Sequence, residues 1–331
     1  MFTQSITTRK TKDHPHSSLC SYRVINEQRN RSPKPRYTRA EREVRKSGTK
    51  QRLVDLATAA GEHEQADKYQ RCHGKALVIA CKNQHIAKII PDFSCENRLC
   101  PYCSRKRSSR LLHKYLPAVV AFPAVSHTQP VHLVLTQAHR KETLRESVKR
   151  LTDHFRALRR RALWKDHFKG GMFSVEFTIG KDDGFYHTHL HILAFRTRFF
   201  NVQLLKDAWL DITGDSTNLR LDRITGDHRA GVREVLKYAV KPASIADFTV
   251  QHFRDFMAME NQNMFGTFGD FRKFAREYKP DPETLSTLFP HTETQTGEPC
   301  SMCGEALYAE WAKESELAAI LQRSDASPAL E

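Results

Sequence analysis

From residue 130 onward the chain alternates between apolar runs of strand length and longer amphipathic stretches. PVHLVLTQ at 130–137 is apolar at most positions, the pattern of a buried strand. Leu144, Val148, Leu151, Phe155, Leu158 and Ala162 then step by four and three, which predicts a core-facing helix over roughly 141–168. Gly170-Gly171 ends that helix, and MFSVEFTI at 172–179 reads as a strand. Gly180-Lys-Asp-Asp-Gly184 is a hairpin loop, so 172–179 and 185–195 are expected to pair antiparallel. A helix over 202–212 and a strand over Leu219–Ile224 follow. Strand, helix, strand, strand, helix, strand predicts an α+β domain: a central antiparallel sheet with helices packed on it. Further helices are expected at 230–241, 245–262 and 270–278, then a proline-containing linker and a terminal helix over 305–322. Upstream, ALVIA at 76–80 is a short strand. Residues 1–50 have almost no apolar periodicity, and 1–67 read as a basic, largely disordered arm with a short helix around Arg39–Lys46.

The strand FYHTHLHILAF at 185–195 carries three histidines at every second position, His187, His189 and His191. Alternation puts them on one face and Thr188, Leu190 and Ile192 on the other. Same-face neighbours lie about 6–7 Å apart, from a rise of about 3.3 Å per residue, so adjacent imidazoles can converge on one ion. Glu176, in the pairing strand, adds a carboxylate if it points to that face. Mixed histidine and carboxylate ligation with open positions suits Mg²⁺, Mn²⁺ or Zn²⁺ as a Lewis acid. In GVREVLKYAVKP at 231–242, Val232, Val235, Leu236 and Ala239 form the buried side of a helix. Glu234 and Tyr238, four apart, share another face, flanked by Lys237 and Lys241. Positive charge nearby favours a phenolate, which would make Tyr238 a nucleophile.

The chain has 331 residues and a formal net charge of +15, which points to a polyanionic partner. No apolar run approaches the ~20 residues of a membrane helix, and MFTQSITTRKTK lacks an apolar signal core, so a soluble intracellular protein is expected. Of eight cysteines, five lie between Cys72 and Cys103, while Cys300 and Cys303 form a CxxC pair. Such clustering speaks for metal rather than disulfides. Cys95, Cys100 and Cys103 supply three ligands of a zinc site. Cys72, Cys81 or His73 are available as a fourth, and Cys300 and Cys303 could instead join Cys100 and Cys103 in a four-cysteine ribbon.

Together these residues resemble the rolling-circle replication initiators of small bacterial plasmids, within the HUH endonuclease superfamily. HLVLTQ, HTHLHIL and EVLKYAVKP stand in the order of the family's three motifs. FSCENRLCPYCSRKRSSR is similar to its cysteine segment, and FGTFGDFRK to a glycine-rich stretch after the catalytic helix. The resemblance implies an HUH-like fold in which His189 and His191 bind a divalent cation, Mg²⁺ or Mn²⁺, at the scissile phosphate of single-stranded or extruded origin DNA. His187 or Glu176 would be a further ligand. It implies that Tyr238 forms a 5′-phosphotyrosyl enzyme and frees a 3′-OH, and that Glu234 activates water to release the displaced strand at termination. It also implies that Cys72 completes the Zn²⁺ site, leaving Cys81, Cys300 and Cys303 as alternatives. Lys237, Lys241, Arg105, Lys106 and Arg107 are the expected DNA contacts, a host helicase and polymerase the expected partners, and the bacterial cytoplasm the expected location. The division that follows is an arm at 1–67, a cysteine segment at 68–112, a nicking domain at 113–279, and a linker, CxxC knuckle and helix at 280–331. An HUH transposase and a non-catalytic zinc-ribbon regulator are the competing readings.

Overall fold

A computed structural model describes residues 23–25, 37–180, 182–224, 232, 235, 245–259, 262–289 and 297–326. Its larger sheet is built on the hairpin expected from the sequence. Strand β5 (Phe168–Ile179) and strand β6 (Tyr186–Arg196) pair antiparallel across the Gly180–Gly184 loop, and β4 (Gln129–Thr136) pairs antiparallel with the other edge of β6. β7 (Leu219–Ile224) lies antiparallel beside β4, with Arg23–Ile25 (β1) parallel to it. Phe265–Phe268 (β8), within the glycine-rich stretch, adds an antiparallel edge to β5. The order is β1-β7-β4-β6-β5-β8, and apart from its parallel β1 edge this is the antiparallel sheet expected of an α+β protein.

One face of the sheet is apolar because the even-numbered residues of β6 and the odd-numbered ones of β4 all point there. Leu190, Ile192, Val131, Leu133 and Leu135 are fully buried against helix α4 (Leu144–Arg160), whose stripe Leu144, Val148, Leu151, Phe155 and Leu158 meets them. A capping box at Thr143 and Glu146 starts α4. Its length departs from expectation. The backbone turns extended at Arg161, a separate short helix occupies Ala162–His167, and Ala162 is exposed rather than part of the stripe. Gly170 and Gly171 do not end a helix; they lie inside β5 at a bulge. A Cβ on Gly171 would sit 2.0 Å from the Leu193 carbonyl oxygen, so only glycine permits that approach.

The short helix expected at Arg39–Lys46 runs from Arg39 to Ala59 (α1), buries Leu53, Leu56 and Ala57 in the main core, and is followed by a helix at His63–Arg71 (α2). Residues 307–313, expected in a terminal helix, form strand β9 (Leu307–Lys313), and the helix occupies Glu314–Ala326. β9 pairs with β2 (Lys75–Cys81), which also pairs with β3 (Ile86–Pro91), in a second, three-stranded antiparallel sheet. The cysteine segment and the C-terminal segment thus share one sheet. The boundary placed at 112 falls inside α3 (Pro101–Ser126), a helix of about 39 Å at 1.5 Å per residue. Helix 245–262 is shorter than expected, a 3-10 turn at Ile245–Asp247 followed by Val250–Met257, and 270–278 is matched by Gly269–Glu277. Of helix 230–241, Val232 and Val235 are described, both helical and buried.

Gly171→Ala is expected to cost about 1–3 kcal/mol, as overpacking does in a filled interior, read as a lower urea midpoint. Gly48→Ala, on the exposed side of α1 with nothing within 4 Å of the added methyl, should instead stabilise by about 0.5–1 kcal/mol.

Candidate active site on the histidine face

The opposite face of the same sheet carries the chemistry. Register places Thr136, His189 and Glu176 in one row across β4, β6 and β5, and Val134, His191 and Ser174 in the next. Directly opposed residues share a face, so Glu176 stands with the histidines. Its Oε2 lies 3.0 Å from His191 Nε2. His191 is almost fully buried, and its Nδ1 is 3.4 Å from Nε2 of His132, another buried imidazole on this face. Thr136 Oγ1 lies 3.1 Å from His189 Nδ1, while the indole N–H of Trp209 donates to the Thr136 carbonyl. In the tautomer that carries its proton on Nδ1, His189 donates to this hydroxyl and leaves Nε2 open to a cation. Burial holds this imidazole below the ordinary histidine range, which favours its neutral form.

His187 is placed differently. Its ring lies 4.1 Å from that of His139, which pairs with Asp183 at 2.9 Å, and the ligand atoms of the three converge within 4.8 Å. Gly180 makes this possible, since a Cβ there would meet Asp183 Oδ1 at 2.1 Å. Sequence reading missed His139, Asp183 and His132. His139, three residues beyond Thr136, and Asp183, in the hairpin loop, left a signal in their nearness to recognised elements; His132 sat unremarked inside an apolar strand.

Gln137, the second residue of the Thr-Gln pair, turns to the other face, where its amide donates to Thr188 Oγ1 at 3.1 Å and to the Ser147 carbonyl at 3.0 Å. The pair therefore divides its work: Thr136 orients a histidine, and Gln137 ties β4 to β6 and α4 in the core.

The lower half of the histidine face is sealed by Leu116, Val119 and Phe122 of α3, Phe271 and the two described valines of the Tyr238 segment. Ser174, opposite His191, donates to the Val235 carbonyl at 2.6 Å. Glu234, Lys237, Tyr238 and Lys241 themselves lie outside the described residues.

At the other end of α3, Cys100 caps the helix and Cys103 sits in its first turn. Cys72, capping the end of α2, and Cys95, after β3, complete a group whose sulfurs all lie within 4.8 Å. Cys72 Sγ lies 3.5 Å from that of Cys103 and 3.6 Å from that of Cys100, and Cys95 Sγ is 3.6 Å from that of Cys103. A tetrahedron of 2.3 Å zinc–sulfur bonds has edges of about 3.8 Å, so the donor set fits zinc. The thiols of Cys100, Cys72 and Cys95 aimed at Cys103 pull it far below the ordinary thiol range. His73 stacks on Tyr102 instead, and Cys81, Cys300 and Cys303 gather elsewhere. Arg105 and Lys106 project into solvent next to this cluster; Arg107 is half-buried.

A family model described as Replication protein (Rep_1) matches residues 87–317, more than half of the chain. The chain belongs to this replication protein family. The match runs from β3 through the histidine face into the terminal helix, and leaves out β1 and β2. The chain is similar to a Protein rep of Lactiplantibacillus plantarum, 26% identical over 220 residues, which are 60% of this chain and 68% of the relative. It is similar to a Protein rep of Staphylococcus aureus, 25% identical over 194 residues, 54% of this chain and 82% of the relative. A Protein rep of Streptococcus pneumoniae is 27% identical over 148 residues, 43% of this chain and 45% of that protein. No solved structure matches. The resemblance to rolling-circle plasmid initiators read from the motifs therefore stands. Among the described residues, no helix is long and apolar enough to cross a membrane.

Thr136→Val removes the hydroxyl at His189 Nδ1 while keeping side-chain shape. It is expected to weaken Mn²⁺ binding at this face about tenfold, as loss of a ligand-orienting hydrogen bond does, with an unchanged circular dichroism spectrum. Titration calorimetry with Mn²⁺ would check this.

Proposed function

We propose that this chain initiates rolling-circle replication of a bacterial plasmid by nicking one strand of its origin DNA. One observation carries the reading. His189, Glu176 and His191 stand together on a sheet face, and Ser174 of that face bonds the Val235 carbonyl of the Tyr238 segment. His189, His191 and Glu176 would hold one Mg²⁺ or Mn²⁺, with His187 as a further ligand or phosphate contact. Two imidazoles and a carboxylate suit such an ion, which when bound polarises the scissile phosphate and offsets charge on its oxygens.

The phenolic oxygen of Tyr238 attacks the phosphorus. Its bond to phosphorus forms as the bond to the 3′ oxygen breaks; the phenol loses its proton, and the departing oxygen gains one to become the free 3′-OH. A polymerase extends that end while a host helicase opens the duplex. At termination Glu234 takes a proton from water, whose oxygen displaces Tyr238 from the 5′-phosphate. Lys237, Lys241, Arg105, Lys106 and Arg107 contact backbone phosphates, in keeping with a net charge of +15. Cys72, Cys95, Cys100 and Cys103 hold a structural Zn²⁺ that ties α2, the chain after β3 and the start of α3 together. The setting is the bacterial cytoplasm.

Wild type and Tyr238→Phe, incubated with labelled single-stranded origin oligonucleotides and Mn²⁺ or Mg²⁺, separate the readings on denaturing gels. A metal-dependent covalent protein–DNA band is expected for wild type and none for Tyr238→Phe. Binding without cutting or attachment, across the whole origin region, would hand the case to a non-catalytic regulator. Cutting that survives Tyr238→Phe would keep the nuclease and discard the tyrosine. His189→Ala should lower the nicking rate at least about a hundredfold, the scale of losing one preorganised electrostatic element.

A further inference from the structure

Four donors outside the cluster just assigned converge where β2 and β9 pair. Cys81 is the last residue of β2 and fully buried; His85, also buried, closes the turn into β3. Across the sheet, Cys81 pairs in register with Leu307, and the loop before that strand carries Cys300 and Cys303. Cys81 Sγ lies 3.5 Å from Cys303 Sγ, and Cys300 Sγ 3.7 Å from His85 Nδ1. All four ligand atoms lie within 4.8 Å of one another.

Both loops have the form of a ligand-bearing knuckle. In the first, the Gln84 N–H donates to the Cys81 carbonyl at 2.9 Å and the Cys81 N–H to the His85 carbonyl at 3.2 Å, with Gln84 in the left-handed region at φ 62°. In the second, Cys300 N–H donates to the Glu305 carbonyl and Gly304 N–H to the Cys300 carbonyl, both at 2.8 Å, and Gly304 sits at φ 74°. The Met302 N–H points at Cys300 Sγ from 3.5 Å, the kind of donor that stabilises a thiolate. Local apolar packing does not account for the gathering. Among the described residues, the aliphatic side chains of this buried cluster are Ile79 and Leu307; the rest are cysteines.

We infer that Cys81, His85, Cys300 and Cys303 bind a second structural zinc ion, independent of the four-cysteine cluster. Three thiolates and one imidazole are a closed tetrahedral zinc set; the Cys81–Cys303 separation is near the sulfur–sulfur edge of about 3.8 Å, and the Cys300–His85 separation near the sulfur–nitrogen edge of about 3.6 Å. The Cys81 and Cys303 sulfurs meet across 222 residues of sequence, so the ion closes the chain. It fixes β9 against β2 and so holds the C-terminal helix on the fold. Metal binding there is coupled to the folding of the C-terminal segment.

Zinc released from the denatured full-length chain, measured by mass spectrometry, tests this. Wild type should release two zinc ions, and Cys300→Ser with Cys303→Ser should release one fewer. Limited proteolysis should then cut that variant between 290 and 313 while the histidine sheet stays intact. Since the double variant could misfold, His85→Cys provides a conservative check: it should keep the full zinc content, and its cobalt-substituted spectrum should shift as one imidazole is replaced by sulfur. Zinc content unchanged in the Cys300/Cys303 variant would overturn the site, as would a cobalt spectrum indifferent to His85→Cys. A Cys81–Cys303 disulfide mapped in freshly purified, zinc-poor wild type would do the same. These measurements do not involve DNA, so they can fail while nicking holds, and the reverse.

Discussion

β6 lies between β4 and β5 in a register that sets His189 opposite Thr136 on one side and Glu176 on the other. A slip of one residue on either side would carry a hydrophobic set to the wrong face and replace these partners by core residues. The register is strongly specified because the opposite face is dry: Leu133, Leu190, Ile192 and the α4 stripe exclude water, and Gln137, Thr188 and Ser147 lock the strands by buried hydrogen bonds. Close approach at Gly171 adds a second lock, since no side chain fits beneath the Leu193 carbonyl. The placement of these side chains therefore depends on core packing on the reverse side of the sheet, to which Gln137 contributes.

α3 joins the two halves of the molecule. Its first turn carries Cys100 and Cys103, and its second half, through Leu116, Val119 and Phe122, covers the histidine sheet. A buried charge network braces the same region. Lys50 of α1 pairs with Glu314 and donates to the carbonyls of Gln70 and Cys72, and the Tyr102 hydroxyl donates to Glu314. A buried ammonium removed from such a network leaves an unpaired carboxylate and orphaned carbonyls, a costly state. The part of the N-terminal arm from residue 39 onward is thus a structural wedge between the cysteine cluster and the C-terminal helix.

The family assignment and the geometry support each other at different levels. Family membership makes this a replication protein and says nothing of which atoms act. The histidine face supplies imidazoles, a carboxylate and a hydroxyl, and the proposed nicking reaction rests on these. His139 and Asp183 show why the two should stay distinct: they sit beside His187 and change its surroundings, yet neither belongs to the motif that drew attention to the strand.

Periodicity alone made much of this legible. Strict alternation in FYHTHLHILAF put three histidines on one face, and the four-three stepping of α4 named the core residues that the structure buries. Those readings depend on local geometry, which repeats every two or 3.6 residues whatever surrounds it. The failures are equally physical. LYAEWAK at 307–313 has a pattern that tolerates helix or strand, and only pairing with β2 settles it as β9. Gly170-Gly171 looks like a helix stop until the neighbouring backbone shows why no Cβ is allowed. The arm's charge hid the side of α1 that is buried. Spacing gave each cysteine its candidate partners, but which sulfurs meet also depends on contacts such as Cys72–Cys100 and Cys81–Cys303, across 28 and 222 residues, and those exist only once the sheets have formed.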